Sequence, residues 1–276
     1  MPELPEVETT RRHLAPVLEG ALVVGATVRR QRMVRYHEQP GDFVDRIQGR
    51  TVESLHRVGK LLMARLDSDL TWITHLGMSG RMALHNRGEP EVAHTNVVIA
   101  LESGVEVRMV DPRTFGFVGV FTGEELADGY ASEWGPDALD ELPTTRRLHD
   151  ELAKRSAPIK ALLLDQRIVA GLGNIYADEI LFRARIRPAR PGRSLTTEEV
   201  ARLRAAVRPV LRAGLRYGGT SLGDMAYLLP DGRAGRYMAR LYAYGREGLP
   251  CRRCHGVIER SVIRARSSFW CAGCQE

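Results

Sequence analysis

Four cysteines near the carboxyl end constrain the fold of this chain more than any other feature. They form two Cys-x2-Cys pairs separated by 16 residues, and they are Cys251, Cys254, Cys271 and Cys274. This spacing predicts a zinc ribbon, in which two tight turns bring four thiolates around one Zn²⁺ ion. Because four sulfur ligands close the coordination sphere, we expect a structural zinc ion. Paired disulfides and redox thiols are the alternatives.

The stretch between the cysteine pairs predicts a β-hairpin. Residues 257–270 alternate between apolar and polar side chains, with Arg264 and Arg266 near the middle. Arginines at a hairpin tip point outward, where they are either solvated or in contact with phosphate. A tail this short cannot build its own core, so metal binding would supply its folding free energy.

Two further regions differ in their hydrophobic periodicity. Val7, Thr10, Leu14 and Leu18 recur at helical spacing. Short β-branched or alternating runs follow, and they predict seven or eight strands in a β-sandwich or barrel. The predicted strands are residues 22–32, 51–58, 60–66, 70–75, 95–101, 105–110 and 117–121.

The pattern after residue 141 is helical, with predicted helices at residues 145–155, 158–165, 174–183 and 196–215. A Thr-x-x-Glu capping box at Thr196 and Glu199 opens the last of these helices. Residues 216–240 are rich in Gly and Arg and predict a mobile surface loop. The fold class is therefore α+β multidomain: an N-terminal helix and β-sandwich, a helical domain, and a terminal zinc hairpin.

Charge divides the chain at the same places. Residues 1–121 have no net charge, residues 122–141 carry −7, and residues 142–276 carry +13. We therefore expect a neutral sandwich domain at 1–121, an acidic connector at 122–141 and a basic second half. The helical pattern and the cysteine tail divide that half into a helical domain at 142–240 and the zinc hairpin at 241–276. A strongly basic second half favours a polyanionic partner, although arginine on solvated surface is the alternative.

The first residues contain neither a membrane span nor a signal peptide. No apolar run approaches 18 residues, and charged residues occur throughout the first 20. A soluble, intracellular protein without a membrane partner is expected.

The amino terminus offers a nucleophile. Removal of Met1 leaves Pro2 with a free secondary amine, and an α-amino group has a pKa about 2.5 units below that of lysine. Such an amine can attack an aldehyde-level carbon to form a Schiff base, with Glu3 and Glu6 close enough in sequence to move protons. From these residues alone, helix capping by the two carboxylates is the more common explanation.

Four motifs together resemble the formamidopyrimidine-DNA glycosylase family. They are Met-Pro-Glu-Leu-Pro-Glu-Val-Glu-Thr at residues 1–9, Asp-Pro-Arg-Thr-Phe-Gly at 111–116, Gly-Leu-Gly-Asn-Ile-Tyr-Ala-Asp-Glu at 171–179, and the four-cysteine tail. The resemblance is collinear over essentially the whole chain. It implies a bifunctional glycosylase and abasic-site lyase that acts on double-stranded DNA containing oxidised purines.

The resemblance also implies catalytic roles. Pro2 is the implied Schiff-base nucleophile, Glu3 the acid that assists opening of the sugar ring, and Glu6 a supporting carboxylate. Lys60 matches a lysine that contacts phosphate and donates a proton during β-elimination. Arg264 matches the zinc-hairpin arginine that grips phosphates beside the lesion and is linked to δ-elimination.

Further residues match positions that contact DNA. Residues 158–182 resemble the helix-two-turn-helix element of the family, and backbone N–H groups at a helix start bind phosphate. Met78, Arg113 and Phe115 resemble the set that fills the space left by an extruded nucleotide. The remaining implied DNA contacts are His94, Arg155, Lys160 and Asn174.

Two departures from the family pattern concern lesion preference: Asn96 stands where His-x-His is common, and Met225 where an aromatic residue is common. One alternative function is an endonuclease VIII-like glycosylase for oxidised pyrimidines. Another is a zinc-ribbon DNA-binding protein without catalysis. We expect a monomer in the cytoplasm, associated with the nucleoid.

Overall fold

Contacts between residues group the chain into two units. The computed structural model describes residues 2–128, 134–221 and 227–276. The first unit is formed by Met1–Glu133 and Tyr217–Arg236, and the second by Trp134–Arg216 and Tyr237–Glu276. Residues 217–236 thus pack with the first unit, whereas the sequence analysis grouped them with the helical domain. Met225 lies outside the described residues.

The first unit combines three helices with eight strands, as far as it is described. The helices are α1 (Leu4–Leu18), α2 (Pro40–Ile47) and α3 (Gly123–Asp128). The strands are β1 (Val23–Val28), β2 (Val52–Val58), β3 (Leu61–Leu66), β4 (Leu70–His75), β5 (Arg81–Asn86), β6 (Thr95–Leu101), β7 (Val105–Val110) and β8 (Phe117–Thr122).

The eight strands form two antiparallel sheets around one core, which confirms the predicted sandwich. Their orders are β1-β6-β7-β5 and β2-β3-β4-β8. Side chains of both sheets join one buried cluster, for example Ile99 and Met109 from the first sheet and Leu62 and Trp72 from the second. Successive side chains of a strand point to opposite faces, so each sheet contributes one face to this core. Strands β6 and β8 also bury most of their remaining side chains.

Helix α1 covers the edge of this core. Val7, Leu14 and Leu18 belong to the same buried cluster, as their helical spacing predicted. The helix is fastened to β2 because Glu19 Oε1 accepts the Leu55 N–H at 2.9 Å and Arg11 donates to the Leu55 carbonyl at 3.3 Å. The position of the amino terminus therefore follows from the position of β2.

The second unit has four described helices and one hairpin. They are α4 (Thr145–Ala153), α5 (Ile159–Leu164), α6 (Asn174–Ala184), α7 (Thr197–Arg216), β9 (Ile258–Ile263) and β10 (Arg266–Cys271). Thr196 and Glu199 form the predicted capping box, since each backbone N–H donates to the side chain of the other residue, at 2.9 and 3.3 Å. The helical part and the terminal β-hairpin are confirmed.

The sequence analysis missed three short elements. Strand β5 has few β-branched residues, and α2 opens with Pro40 and buries only Phe43 and Ile47. Helix α3 lies in the stretch predicted as a connector. The first predicted strand is also too long, because β1 ends at Val28 and a 3-10 turn occupies Gln31–Val34.

Within the described ranges, no helix has both the length and the apolar character needed to cross a membrane.

Candidate active site

The start of α1 holds three predicted catalytic residues together. Pro2 is buried and directly precedes Glu3, the residue at the N-terminal cap of the helix. Glu3 and Glu6 are each 1% exposed. The Glu3 N–H donates to Glu6 Oε2 at 2.8 Å, so the helix-capping explanation for Glu6 is correct as far as it goes. Two carboxyl groups therefore lie buried within one helical turn of Pro2.

Both oxygens of Glu6 are used by backbone groups. Glu6 Oε1 accepts the Thr220 N–H at 2.7 Å, from a residue 214 positions further along the chain. Gly219 has a φ of +80°, and a Cβ there would lie 2.8 Å from the Glu6 side chain. The segment can approach the carboxylate this closely only because residue 219 is glycine. Glu6 is thereby a positioning group that joins α1 to a distant segment.

Several described residues of the segment 216–240 are buried, whereas residues 231–234 are exposed. Thr220, Ser221 and Tyr227 are all at most 9% exposed, and the Tyr227 hydroxyl donates to the Glu6 carbonyl oxygen at 3.2 Å. Burial and the nearby Glu6 raise the pKa of Tyr227, which keeps its hydroxyl a donor. The prediction of a surface loop is wrong for these residues, because Gly and Arg content does not reveal a contact with α1.

Lys60 follows Gly59 in the turn between β2 and β3. Lys60 is 7% exposed, and Gly59 has a φ of +56°. Arg57 donates to the Gly59 carbonyl oxygen at 3.1 Å and forms an ion pair with Glu8 of α1, with 3.3 Å between Nε and Oε2. Although burial opposes it, hydrogen bonds from Arg11 and Arg12 hold the pKa of Glu8 below its usual value. A buried ion pair thus connects the lysine turn to the helix that begins after Pro2.

The three predicted void-filling residues lie on two loops that pack against each other. Met78 belongs to residues 77–80, and Arg113 and Phe115 belong to residues 111–116, here called the wedge loop. A Cβ on Gly77 would lie 2.3 Å from the Gly116 nitrogen, so the two backbones are in direct contact. Phe115 is 41% exposed, and the Arg113 guanidinium lies 4.8 Å from the centroid of its ring.

Asp111 ties the two loops together from inside. Its carboxylate is 0% exposed and accepts hydrogen bonds from the Ser79 hydroxyl at 2.6 Å, the Arg113 N–H at 3.2 Å and the Gly116 N–H at 2.8 Å. These bonds place one charge among three donors, which compensates its desolvation. Sequence reasoning did not give Asp111 a role, although it opens the Asp-Pro-Arg-Thr-Phe-Gly motif.

His75, at the end of β4, is another residue that sequence reasoning missed. Its Nδ1 accepts the Gly77 N–H at 3.2 Å, and its ring stacks on Phe117 with 5.8 Å between centroids. Burial lowers the pKa of His75 to about 4, and the charges of Lys60 and Arg35 act in the same direction. The imidazole is therefore neutral at physiological pH, and it can accept the N–H that leads into the Met78 loop.

Asn96, which departs from the His-x-His pattern, supports the start of the wedge loop. Asn96 is 4% exposed and donates through Nδ2 to the Asp111 carbonyl oxygen at 2.8 Å. His94 is exposed, with a φ of +65°, and its carbonyl oxygen accepts the Asp111 N–H at 3.1 Å. His94 is thus available to a ligand, whereas Asn96 holds the start of the wedge loop.

In the second unit, Asn174 is the first residue of α6. The residue at the N-terminal cap is Gly173. The buried Asn174 Oδ1 has no hydrogen-bond partner within the described residues. An amide oxygen accepts hydrogen bonds, so an anion would be bound instead by the Asn174 NH2 group and the backbone N–H groups at the positive end of the helix dipole.

Lys160 is not presented to a ligand in this arrangement. It is 0% exposed, with Nζ 2.7 Å from Asp178 Oδ1 and 2.7 Å from the Ser267 carbonyl oxygen of β10. Asp178 also accepts the Phe269 N–H at 3.0 Å. This buried ion pair joins α5 and α6 to the hairpin, which argues against the implied nucleotide contact of Lys160. The other implied contact, Arg155, forms an ion pair with Glu151.

A second buried carboxylate anchors the segment before the hairpin. Glu179 is 3% exposed and accepts the N–H groups of Tyr242, Ala243 and Tyr244 at 2.8 to 3.0 Å. Burial raises the pKa of Glu179. Sequence reasoning gave neither Asp178 nor Glu179 a role, because acidic residues on a helix usually face solvent.

The four cysteine sulfurs converge as predicted. All lie within 4.8 Å of one another; the Cys251–Cys274 and Cys254–Cys271 pairs are 3.8 and 3.4 Å apart. Tetrahedral zinc with bonds of about 2.3 Å separates its sulfur ligands by about 3.8 Å. Burial and the neighbouring thiols raise the pKa of Cys274 to about 12. A cation would therefore be needed for all four to be thiolates, so this donor set fits a structural metal ion.

The hairpin presents Arg264 at its tip. Ile263 pairs with Arg266, which leaves Arg264 and Ala265 as a two-residue turn with φ values of +45° and +61°. Two successive positive φ values define a type I′ turn, whose twist matches that of the strands. The exposed Arg264 side chain is therefore held on a short, regular turn.

Comparisons with known proteins agree over the full chain. Residues 1–118 match the model of the formamidopyrimidine-DNA glycosylase N-terminal domain, and residues 134–225 match the model of its H2TH domain. The formamidopyrimidine-DNA glycosylase of Thermus thermophilus is 42% identical, with 100% of this chain and 98% of that protein covered. The enzyme of Acidothermus cellulolyticus is 43% identical, with 100% and 97% covered.

Solved structures give the same assignment. The crystal structure of MutM (Fpg) from Thermus thermophilus has a TM-score of 0.88 at 41% identity, with 99% of this chain and 98% of that chain covered. A complex of Lactococcus lactis Fpg with Fapy-dG-containing DNA has a TM-score of 0.90 at 28% identity, with 99% and 100% covered. With these matches, the chain belongs to the formamidopyrimidine-DNA glycosylase family, whose members are DNA glycosylases and abasic-site lyases of base excision repair.

Proposed function

We propose that this chain excises oxidised purines, such as 8-oxoguanine and formamidopyrimidines, from double-stranded DNA and then cleaves the strand by β,δ-elimination. The observation that carries the proposal is the start of α1, where Pro2 adjoins two buried carboxyl groups. Relatives solved with Fapy-dG-containing DNA and with abasic-site DNA support the same lesion class.

The Pro2 amine is the nucleophile. An α-amino group has a pKa near 7.7 to 8.0, so about a tenth of it is neutral at pH 7. Its nitrogen forms a bond to C1′ of the damaged nucleotide while the glycosidic bond breaks, and the base leaves with a proton. Opening of the sugar ring then gives an iminium ion in which Pro2 is covalently attached to the DNA.

The two carboxyl groups have different tasks. Glu3 is the acid that protonates the ring oxygen as the sugar opens and then exchanges protons in later steps. Glu6 does not need to transfer protons, because both of its oxygens are engaged by the N–H groups of Glu3 and Thr220. It fixes the turn of backbone that carries Pro2 and Glu3.

Strand cleavage follows from the iminium ion. Loss of a C2′ proton breaks the C3′–O bond, and loss of a C4′ proton then breaks the C5′–O bond, with each phosphate as the leaving group. Lys60 donates a proton in β-elimination, and Arg264 stabilises the flanking phosphates during δ-elimination. Water finally hydrolyses the imine and regenerates the Pro2 amine.

Extrusion of the nucleotide requires support from the other DNA-contact residues. Met78 and Phe115 fill the space left in the base stack, and Arg113 pairs with the orphaned base. Asn174 and the start of α6 bind backbone phosphate. His94 and Arg155 are additional phosphate contacts, since both have exposed or half-exposed side chains.

One Zn²⁺ ion, bound by Cys251, Cys254, Cys271 and Cys274, would stabilise the hairpin that carries Arg264. With four protein ligands the ion would supply folding free energy and no open coordination position.

We further propose that the protein acts as a monomer, since each step above uses residues of a single chain. We also propose that it acts in the cytoplasm at the nucleoid, where its DNA substrate lies.

Borohydride trapping tests the proposed chemistry. Wild-type protein is expected to form a covalent adduct with a duplex containing 8-oxoguanine, and to form less with a duplex containing thymine glycol. Absence of any adduct would contradict the enzyme function. Preference for thymine glycol would select the pyrimidine-specific alternative.

Two variants separate the roles of the first residues. Pro2→Gly should abolish most trapping, because glycine lacks the ring that fixes the nitrogen, and equal trapping would remove Pro2 from the mechanism. Glu3→Gln should lower base excision by about 10² to 10⁴-fold while an abasic-site duplex is still trapped. Glu124→Gln removes an exposed carboxylate from α3 and is the matched control.

A further inference from the structure

Two arginines after β1 bind the wedge loop from outside. Arg35 donates to the Gly116 carbonyl oxygen at 2.6 Å and to the Phe115 carbonyl oxygen at 3.1 Å. Arg32 donates to the Thr114 carbonyl oxygen at 3.1 Å. Three consecutive carbonyl groups of the wedge loop are therefore held by two guanidinium groups that have no role in the mechanism above.

The wedge loop needs such support because its backbone is strained. Thr114 has a φ of +51°, and a β-branched residue rarely adopts the left-handed region because its Cβ crowds the backbone. Strain of this kind persists only where surrounding groups over-determine the conformation. Here Asp111 binds the loop from the buried side, and Arg32 and Arg35 bind it from the exposed side.

Arg35 is itself well placed to act as a rigid support. Its guanidinium lies 5.2 Å from the ring centroid of Phe117 and 5.7 Å from that of Tyr36. It also donates to the Arg32 carbonyl oxygen at 2.9 Å, which connects the two arginines. A planar group with several fixed donors can bind adjacent carbonyls at once, whereas a lysine ammonium cannot do so with the same geometry.

We propose that Arg35 is a positioning residue that sets opposite-base discrimination by fixing the backbone that carries Arg113 and Phe115. The proposal rests on the proposed function, in which Arg113 pairs with the orphaned base. Discrimination between two orphaned bases depends on the direction of the Arg113 donors, and a misplacement of about 1 Å is enough to weaken such selectivity. Loss of Arg35 frees the carbonyls of Phe115 and Gly116 and lets the loop relax.

A direct phosphate contact by Arg35 is the competing explanation, and it has a different signature. Removal of a phosphate contact weakens binding uniformly across sequences and lowers the salt slope by about 1. Removal of a positioning group instead changes the ratio of rates between opposite bases and leaves the salt slope unchanged.

The test compares Arg35→Met, Arg35→Lys and a control in single-turnover excision of 8-oxoguanine opposite cytosine and opposite adenine. The control is Arg65→Met, which removes an exposed arginine from β3. Arg35→Met should reduce the ratio of the two rates by roughly tenfold, as expected for loss of charge-assisted hydrogen bonds, and Arg35→Lys should recover only part of it. Strand cleavage of a single-stranded abasic oligonucleotide should stay at the wild-type rate, because it needs no orphaned base.

A second variant reaches the same loop without removing charge. Thr114→Gly removes the steric barrier at φ +51°, so the loop no longer needs Arg35 to hold a strained backbone. Arg35→Met should therefore lower the ratio of the two excision rates by less in a Thr114→Gly background than in the wild-type background. An unchanged ratio in Arg35→Met, or an equal loss in the two backgrounds, overturns the inference. So does a uniform loss of affinity in Arg35→Met with a reduced salt slope. Absence of excision by wild-type protein would instead overturn the proposed function.

Discussion

The wedge loop and the tip of the zinc hairpin each hold an exposed arginine in place, but they do so with different contacts. Each presents an exposed arginine from a turn with positive φ values, at Thr114 in the first case and at Arg264 and Ala265 in the second. The wedge loop is held by hydrogen bonds from Asp111, Arg32 and Arg35. The hairpin tip is held by its strand ladder, whose base is a cluster of four cysteines.

The difference lies in what each turn requires in order to form. The wedge loop is supported by side chains of its own unit and packs against an extensive apolar core. The hairpin adds only a small buried cluster around Phe182, Ile258 and Phe269, and we therefore propose that it depends on the proposed zinc ion and on the buried Lys160–Asp178 pair. On this proposal one arginine is presented by the fold alone, and the other only when a metal ion is bound.

Zinc removal should have the largest effect, and it should affect the hairpin but not the wedge loop. Structural zinc contributes about 10 to 16 kcal/mol in small zinc-binding domains, far more than this hairpin can replace. We expect chelation to release one zinc per chain, to remove hydrogen-exchange protection from β9 and β10, and to weaken DNA binding at least about 100-fold. Protection of β3 and β4 should persist. Retention of both hairpin protection and DNA affinity in metal-free protein would contradict this dependence.

Lys160→Met tests the second support of the hairpin. Removing one partner of a buried ion pair leaves Asp178 uncompensated, which costs about 3 to 5 kcal/mol. The loss should appear as lower stability of α5, α6 and β10 in hydrogen exchange. Lys154→Met is the matched control, because Lys154 is 72% exposed, and its effect should be within about 0.5 kcal/mol. Loss of DNA affinity in Lys160→Met at unchanged stability would restore the implied nucleotide contact.

A smaller effect, the pH dependence of stability at His75, should be specific to the first unit, which contains the wedge loop. Because burial lowers the pKa of His75 to about 4, the unfolded chain binds a proton below pH 6.5 that the folded chain does not. The contribution of the neutral His75 to the free energy of unfolding is fully present above pH 6.5. It falls as the pH drops toward 4, by at most about 3 kcal/mol. Urea unfolding of the first unit should therefore depend less on pH in His75→Gln.

His56→Gln changes an exposed histidine on β2 and is the control for this pH series. Parallel pH profiles for wild type and His75→Gln would mean that the imidazole does not remain neutral on folding.

Local patterns predicted the elements well, and contacts between distant residues escaped them. The four-cysteine hairpin, α1 and the capping box at Thr196 follow from spacing along the chain, and each was found where it was expected. The contact between Glu6 and Thr220 spans 214 positions, and no periodicity signals it. Helix α2 escaped because only two of its residues are buried.

The candidate site divides in the same way. Pro2, Glu3 and Glu6 are neighbours in sequence and therefore neighbours in the fold, so a motif was enough to group them. The DNA contact of Lys160 was implied by its match to a family position, whereas its buried ion pair with Asp178 is visible only in three dimensions. The family resemblance identified candidate site residues, whereas the residues that hold them in place became visible only in the structure.

The close approach of Gly77 to Gly116 has a consequence for how the specificity of this enzyme can evolve. A Cβ on either residue would meet backbone atoms, at 2.3 Å for Gly77 and 2.7 Å for Gly116, so neither position can explore other amino acids. Met78, Arg113 and Phe115 carry side chains that leave this frame, and they can vary without disturbing it. If these residues have the proposed roles, selection can adjust which orphaned base is accepted by changing three positions, while the backbone frame that orients them stays constant.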